Sequence, residues 1–277
     1  MRKRKQKQIG NLAVLLMFSV FFLLPIVYTI TNSFMSSAEI NRYYSNGAAT
    51  FHLFPDRLSL RAYFEILWDS PFYLIKFWIS ILISVLIVCG QLLVSTIAGY
   101  AFARFRFWGR DVLFFIIIIT MMMPYQVTLV SNYIVLDMMN LTGTYAALIL
   151  PAVFSPFGVF LMRQVIASMP ADMLEAARLD GAGELTVLGK IVIPYCSGGI
   201  TALAMLSFVD SWNMVEQPIV FLNNSYRYPL SIFLSQLSAD NPGAVFACGV
   251  LAMLPILLLF AYCKDDMIEG IQFTGLK

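Results

Sequence analysis

Ser207, Asp210, Trp212, Asn213, Glu216 and Gln217 fall close together in one apolar run of the chain. Carboxylates, amides and a hydroxyl beside an indole are the groups that hold a polyhydroxylated solute. Its hydroxyls take hydrogen bonds while its C–H faces stack on the ring. On a wheel of about 100° per residue, Ser207, Asp210, Asn213, Met214 and Gln217 share about 120° of arc. Trp212 and Glu216 are i, i+4 neighbours on a different face. Polar side chains inside an apolar run are costly, and they face either a cavity or a neighbouring helix. Both roles stay open from sequence alone. Gln126, Ser131 and Asn132, in an earlier run, are weaker candidates of the same kind.

Reaction chemistry is harder to find. His52 is the single histidine, and it lies in a polar loop without a Cys or carboxylate cluster, which argues against a zinc site or a histidine-based triad. Cys89, Cys196, Cys248 and Cys263 sit in or beside apolar runs with no metal-ligand spacing and read as small hydrophobes. The nearest approach to a phosphate loop is "GELTVLGKI", with Gly183 and Gly189 one residue too far apart and Ile191 where Ser or Thr is required. We therefore expect no catalytic residue, no metal site and no cofactor bound by this chain.

The elements that carry these residues are set by the composition. Only 12% of the 277 residues are charged, about half the share of an ordinary soluble domain, and the mean hydropathy is +0.78. A soluble fold would expose apolar patches too large to stay in solution. The fold class is therefore an all-α integral membrane protein. A bilayer core of about 30 Å needs about 20 mostly apolar residues per helix. Six runs qualify, at about Asn11–Asn32, Phe72–Phe102, Val112–Leu136, Thr144–Ala167, Ile191–Leu222 and Ala244–Lys264, and Pro124 should kink the third. The first run has a basic leader, but it is too long for a signal peptide's core and no clear cleavage site follows, so we read it as an uncleaved span.

Basic residues orient the spans. Thirteen of the 18 Lys and Arg fall on the side that holds both termini. They comprise Arg2, Lys3, Arg4, Lys5 and Lys7; Arg104, Arg106 and Arg110; Arg163, Arg178 and Lys190; and Lys264 and Lys277. That side is expected to be cytoplasmic, in a plasma membrane of bacterial type. A net charge of +2 gives no reason to expect nucleic acid, and membrane lipid is the surrounding partner. The expected organisation has three parts. Residues 1–71 hold the basic N-terminus, first span and an extracytoplasmic cap. Residues 72–264 form a five-helix transmembrane domain, and residues 265–277 a cytoplasmic tail. Within the cap, Asn46-Gly47 and Pro55-Asp56 mark turns, and a short helix is expected near Leu60–Trp68.

One stretch breaks the apolar rule. "MPADMLEAARLDGAGELTVLGKIVIP" (Met169–Pro194) carries six charges among small residues. Ser168 can cap a helix there, Pro170 suits its first turn, Asp172 complements the positive end of its dipole, and Gly181 and Gly183 stop it. An interfacial amphipathic helix would be basic on its polar face, whereas this one is more acidic and carries Ala176 and Ala177 where bulk would sit. Small side chains permit close approach by another protein.

Here a family resemblance enters. Glu175, Ala176, Ala177, Gly181, Ile191 and Pro194 fit, without a gap, the EAA motif of permease subunits from binding-protein-dependent ABC importers. The longer form from Pro170 through Asp180, Gly181 and Ala182 resembles the carbohydrate-importer class, which includes the maltose permease subunits. "TYAALIL", "FLMRQVIASMP" and "SWN" agree. Val215-Glu216-Gln217 depart from the class, which more often carries aromatic or apolar residues there, so the resemblance fixes the class and leaves the solute open, with polyol phosphates an alternative to sugars. The resemblance implies a type I importer permease fold whose loop 168–194 carries a coupling helix. Glu175, Ala176, Ala177, Asp180 and Gly181 would meet a cytoplasmic ATPase there. It further implies two ATP-binding subunits that use ATP and Mg, a homologous but different second permease subunit, and an extracytoplasmic solute-binding protein. A secondary transporter working alone would show inverted repeats or paired intramembrane charges, and neither is visible.

Overall fold

The computed structural model describes residues 2–44, 52–69, 72–237 and 242–275, so the expected Asn46-Gly47 turn lies outside the described residues. Among them every regular element is helical. The first span is α1 (Arg2–Asn32). The cap follows as α2 (Ser37–Tyr44) and α3 (Arg61–Phe64), the latter running into a π turn over Glu65–Asp69. That matches the helix expected near Leu60–Trp68, whereas α2 was not anticipated.

The second span, α4 (Phe72–Arg104), is unbroken. The third is not a kinked helix but two helices, α5 (Arg110–Met122) and α6 (Tyr125–Met138), bent by 107°. The cause is local. A residue before proline is pushed out of the helical region, and Met123 is extended at φ −71°, ψ 134°. Span four comprises α7 (Ala146–Val153) and α8 (Pro156–Ala167), joined through Phe154. Ser155 caps α8, accepting a hydrogen bond from the Gly158 N–H at 3.2 Å with Pro156 at the first helical position.

Next come α9 (Ala171–Leu179) and α10 (Glu184–Val187). A π turn over Leu188–Val192 leads to α11 (Ile193–Tyr195), and Cys196 then turns the chain into α12 (Ser197–Trp212). Pro194 has no N–H to give the ladder, and disruptions of this kind accompany kinks. The two halves meet at 79°. Beyond Asn213 to Val215 lies α13 (Glu216–Phe221). The run expected as one span over Ile191–Leu222 is built of three helical pieces. The chain closes with α14 (Leu230–Gln236) and α15 (Pro242–Gly275), so helix continues past the expected start of the tail.

Four helical stretches are long and apolar enough to cross a bilayer, and the two bent pairs, each taken as one span, bring the count to six. By internal packing the chain divides into residues 1–77 with 232–254, and residues 78–231 with 255–277.

In the first unit the cap is fastened by polar contacts. Buried Glu39 accepts from the backbone N–H groups of Ser36 (3.1 Å) and Arg57 (2.8 Å), and the hydroxyls of Ser33 and Tyr63 share a bond at 2.7 Å. Tyr28 meets Tyr44 at 2.5 Å, and both rings pack edge-on to Phe246. Much of α1 exposes its apolar side chains, as expected where lipid is the solvent.

The second unit has two apolar clusters. One gathers Ile83, Ile87, Leu136, Ala147, Leu148, Met214, Phe221 and Leu222. The other gathers Tyr100, Met162, Ile166, Met169, Leu174, Val187, Val192, Cys196 and Leu203. At the second cluster α4 crosses α8 so closely that a Cβ at Gly99 would lie 2.7 Å from Met162 Cβ and 2.8 Å from the Arg163 backbone nitrogen. Backbone cannot yield as a flexible side chain can. Gly99→Ala is expected to destabilise the detergent-purified chain by about 1–3 kcal/mol, read as a lower thermal midpoint. Gly189→Ala, with nothing within 4 Å of the added carbon, should leave it unchanged.

Candidate functional site

Two places in the second unit gather the residues singled out by sequence. The first is an open cavity of about 220 Å³. Its polar lining comes from four spans: Gln91 on α4, Tyr125 and Asn132 on α6, Ser155 at the α7–α8 break, and Ser207, Asp210, Ser211 and Gln217 from α12 and α13. Gln91 accepts a short hydrogen bond from the Ser207 hydroxyl, which crosslinks α4 to α12. Among the described residues, Asp210 is the only lining carboxylate and no Lys, Arg or His joins it.

The wheel that joined the candidate residues does not hold along its length, because α12 ends at Trp212. Ser207, Asp210, Met214 and Gln217 still line the cavity, Met214 and Gln217 through the turn that follows α12. Asn213 does not. Its Nδ2 donates back to the Val209 carbonyl at 2.8 Å and closes the helix end. Trp212 is 4% exposed and stacks on Phe208 at 5.6 Å, inside the protein. Glu216 starts α13 and accepts from Gln126 Nε2 at 3.2 and 3.3 Å, outside the lining. Of the weaker candidates, Asn132 lines the cavity. Sequence reading missed Gln91, Tyr125, Ser155 and Ser211. The signal for Gln91 was present, since it is the one amide in the 33 residues of α4.

The segment between α13 and α14 is pinned as well. Ser80 Oγ accepts from the Leu230 N–H at 2.7 Å, Ser231 Oγ donates to the Met214 carbonyl at 2.5 Å, and Arg227 donates to the Gly143 carbonyl.

The second place is the 168–194 loop. Ser168 does not cap α9. It ends α8, its hydroxyl donating to the Val165 carbonyl at 2.7 Å, and Pro170 takes the capping position. The far end follows the reading made from glycine. Gly181 is left-handed at φ +82°. Its N–H donates to the Arg178 carbonyl at 3.0 Å, and the Ala182 N–H to Ala177 at 3.0 Å. These two bonds are the Schellman pattern of a helix stop.

Leu174 is 2% exposed and sits among the second cluster, so it pegs α9 to the transmembrane helices. The rest of α9 faces outward. Glu175, Ala176 and Asp180 are exposed with Gly181, Ala177 is half-buried, and Leu179 is 88% and Leu185 85% exposed. Three polar side chains fix the loop. Tyr100 Oη donates to Glu184 Oε2 at 2.6 Å, and Arg178 donates to the same carboxylate through Nε (2.9 Å) and Nη2 (3.3 Å). Arg104 Nη2 donates to the Ile166 (2.6 Å) and Met169 (2.5 Å) carbonyls. The hydrogen bond to Glu184 pushes the Arg178 guanidinium further up from the ordinary arginine range, so it stays charged at any physiological pH.

Residues 91–263 match the family described as binding-protein-dependent transport system inner membrane component. The arabinooligosaccharides transport system permease protein AraQ of Halalkalibacterium halodurans is 32% identical, over 91% of this chain and 90% of that one. The sn-glycerol-3-phosphate transport system permease protein UgpE of Brucella abortus is 26% identical, over 98% of this chain and 99% of that one. In fold, the chain is similar to a subunit in the crystal structure of a bacterial ABC transporter involved in the import of the acidic polysaccharide alginate. That likeness has a TM-score of 0.83, covers 96% of this chain and 98% of the other, and carries 23% identity.

The peg and the exposed leucines separate by experiment. Leu174→Ala should lower the thermal midpoint, by a free energy of about 2–5 kcal/mol, and open the 168–194 loop to limited proteolysis. Leu179→Ala should change neither.

Proposed function

This chain belongs to the family of binding-protein-dependent transport system inner membrane components, and we propose that it forms one side of an ATP-driven solute pathway and takes its drive through α9. It is a carbohydrate ABC importer permease. Its finer assignment has three parts. The exposed face of α9 docks on a cytoplasmic ATP-binding subunit, which supplies the ATP and Mg chemistry. A solute-binding protein delivers the cargo from the other side. A second, homologous permease subunit completes the pathway. The chain is a multi-pass membrane protein, and with both termini cytoplasmic the 168–194 loop meets the ATPase.

The observation that carries this reading is the construction of α9. One leucine anchors it, a left-handed glycine stops it, and an outward face of Glu175, Ala176, Asp180 and Gly181 is left uncovered. A helix built only for stability would bury more than one residue in nine. Small exposed side chains let a partner's backbone come close, and the polar Glu175 supplies a directed contact at the edge.

The cavity supports the pathway. At about 220 Å³ it is smaller than the roughly 300–1,000 Å³ of a complete small-molecule site, as half a site would be. Hydroxyl, amide and carboxylate groups suit the hydroxyls of a sugar. A phosphate or uronate would call for Arg or Lys, and Asp210 would repel it. Neutral saccharides are therefore favoured over polyol phosphates and acidic sugars.

Two measurements test this in the complex reconstituted with its partner subunits. Glu175→Lys should abolish co-purification of the ATPase, and unchanged association would sink the docking role. Asp210→Asn should lower the initial rate of neutral-oligosaccharide uptake about 2- to 10-fold, as expected for one lost hydrogen bond. Unaltered uptake for both Asp210→Asn and Ser207→Ala would leave these residues to helix packing. Thiol labelling that places Asp180→Cys outside the cell would overturn the orientation.

A further inference from the structure

One carboxylate joins three helices. Glu184 opens α10, within the 168–194 loop; Arg178 lies in the last turn of α9; Tyr100 lies in the last turns of α4. Their side chains meet at Glu184, with Tyr100 Oη on Oε2 at 2.6 Å and Arg178 Nε on Oε1 at 2.9 Å. Arg104 stands four residues from Tyr100 and hence on the same face of α4. It donates to the Ile166 and Met169 carbonyls, at the other end of the loop. The loop is thus tied to α4 where it leaves α8 and again where it enters α10, and Leu174 plugs the cluster between the two ties.

We propose that the Tyr100–Glu184–Arg178 relay is the latch that makes α9 and the end of α4 move as one body, so that it sets how much solute is carried per ATP hydrolysed. This rests on the reading that α9 docks on an ATPase. Leu174 alone cannot do this. An apolar peg resists withdrawal but has no directional preference, so a helix pivoting on it changes angle at little cost. Hydrogen bonds to a charged group are directional and strong. Placed away from the peg, at the C-terminal end of α9, they stop the pivot. With them a displacement of α9 becomes a displacement of α4, and α4 carries Gln91 in the cavity wall. Without them α9 tilts under its partner and the wall stays still. Tyr100, Glu184 and Arg178 are positioning residues, since none of them lines the cavity.

Tyr100 makes the test clean. Tyr100 is 4% exposed and belongs to the apolar cluster, so Tyr100→Phe keeps its packing and deletes only the hydroxyl's contacts with Glu184 and Arg178. In the full complex reconstituted in liposomes, Tyr100→Phe should keep ATPase association and ATP hydrolysis within about two-fold. It should lower solute carried per ATP by about five-fold or more, the lower range of coupling between sites. Arg178→Gln, which removes the charged guanidinium donors, should act in the same direction. Glu184→Gln keeps an acceptor for Tyr100 and should fall between wild type and Tyr100→Phe. Two results overturn the latch: an unchanged ratio in Tyr100→Phe and Arg178→Gln with association intact, or a loss of association and thermal stability in parallel with transport, which marks a purely structural tie. Failure of the docking reading looks different, because the wild-type chain would then not retain the ATPase, or Glu175→Lys would retain it fully.

Discussion

In hydrocarbon no water is available to satisfy a backbone N–H or C=O, so every break in a span must be enclosed by protein or face water. Most of this architecture follows from that constraint. The described spans break at Met123–Pro124, at Phe154–Ser155, at Cys196 and after Trp212. Three of the four supply the cavity. Tyr125 comes from the first, Phe154, Ser155 and Pro156 from the second, and Ser211 and Met214 from the last. Cys196 is buried in the second apolar cluster. The cavity is thus the place where the interruptions of separate helices can be tolerated together.

The two sites sit on different mechanical material. Around the cavity the polar groups are distributed over α4, α6, α12 and α13, with the Gln91–Ser207 bond as one direct tie between them. Around α9 the ties converge on one carboxylate and one pair of carbonyls. A distributed lining can change shape as its helices shift, whereas a convergent tie transmits displacement as a unit.

What was legible in the sequence was what local chemistry dictates. Six apolar runs, a disrupted third span at Pro124, a cap helix near Leu60–Trp68 and a glycine-stopped α9 all follow from length, proline and glycine rules that act within a few residues. The misses were tertiary. A wheel drawn through Ser207 to Gln217 assumed one helix, and the chain turns at Asn213, whose own side chain closes the end. Ser168 reads as well for a helix's end as for a start, and the neighbouring Pro170 decided it. Tyr100 and Arg104 looked like an ordinary span end, because their partners lie at least 62 residues away along the chain.

At Gly181 two usually entangled properties come apart. The backbone is left-handed at φ +82°, yet a Cβ there would meet nothing within 4 Å. On this chain by itself, the tolerance of the position is therefore governed by backbone preference and not by size. Asparagine, which visits the left-handed region with help from its short polar side chain, is a gentler replacement than alanine, and valine is worse than either although it would find ample room. Any intolerance ordered by volume instead would point to a surface covering this face, as the proposed docking of an ATP-binding subunit would.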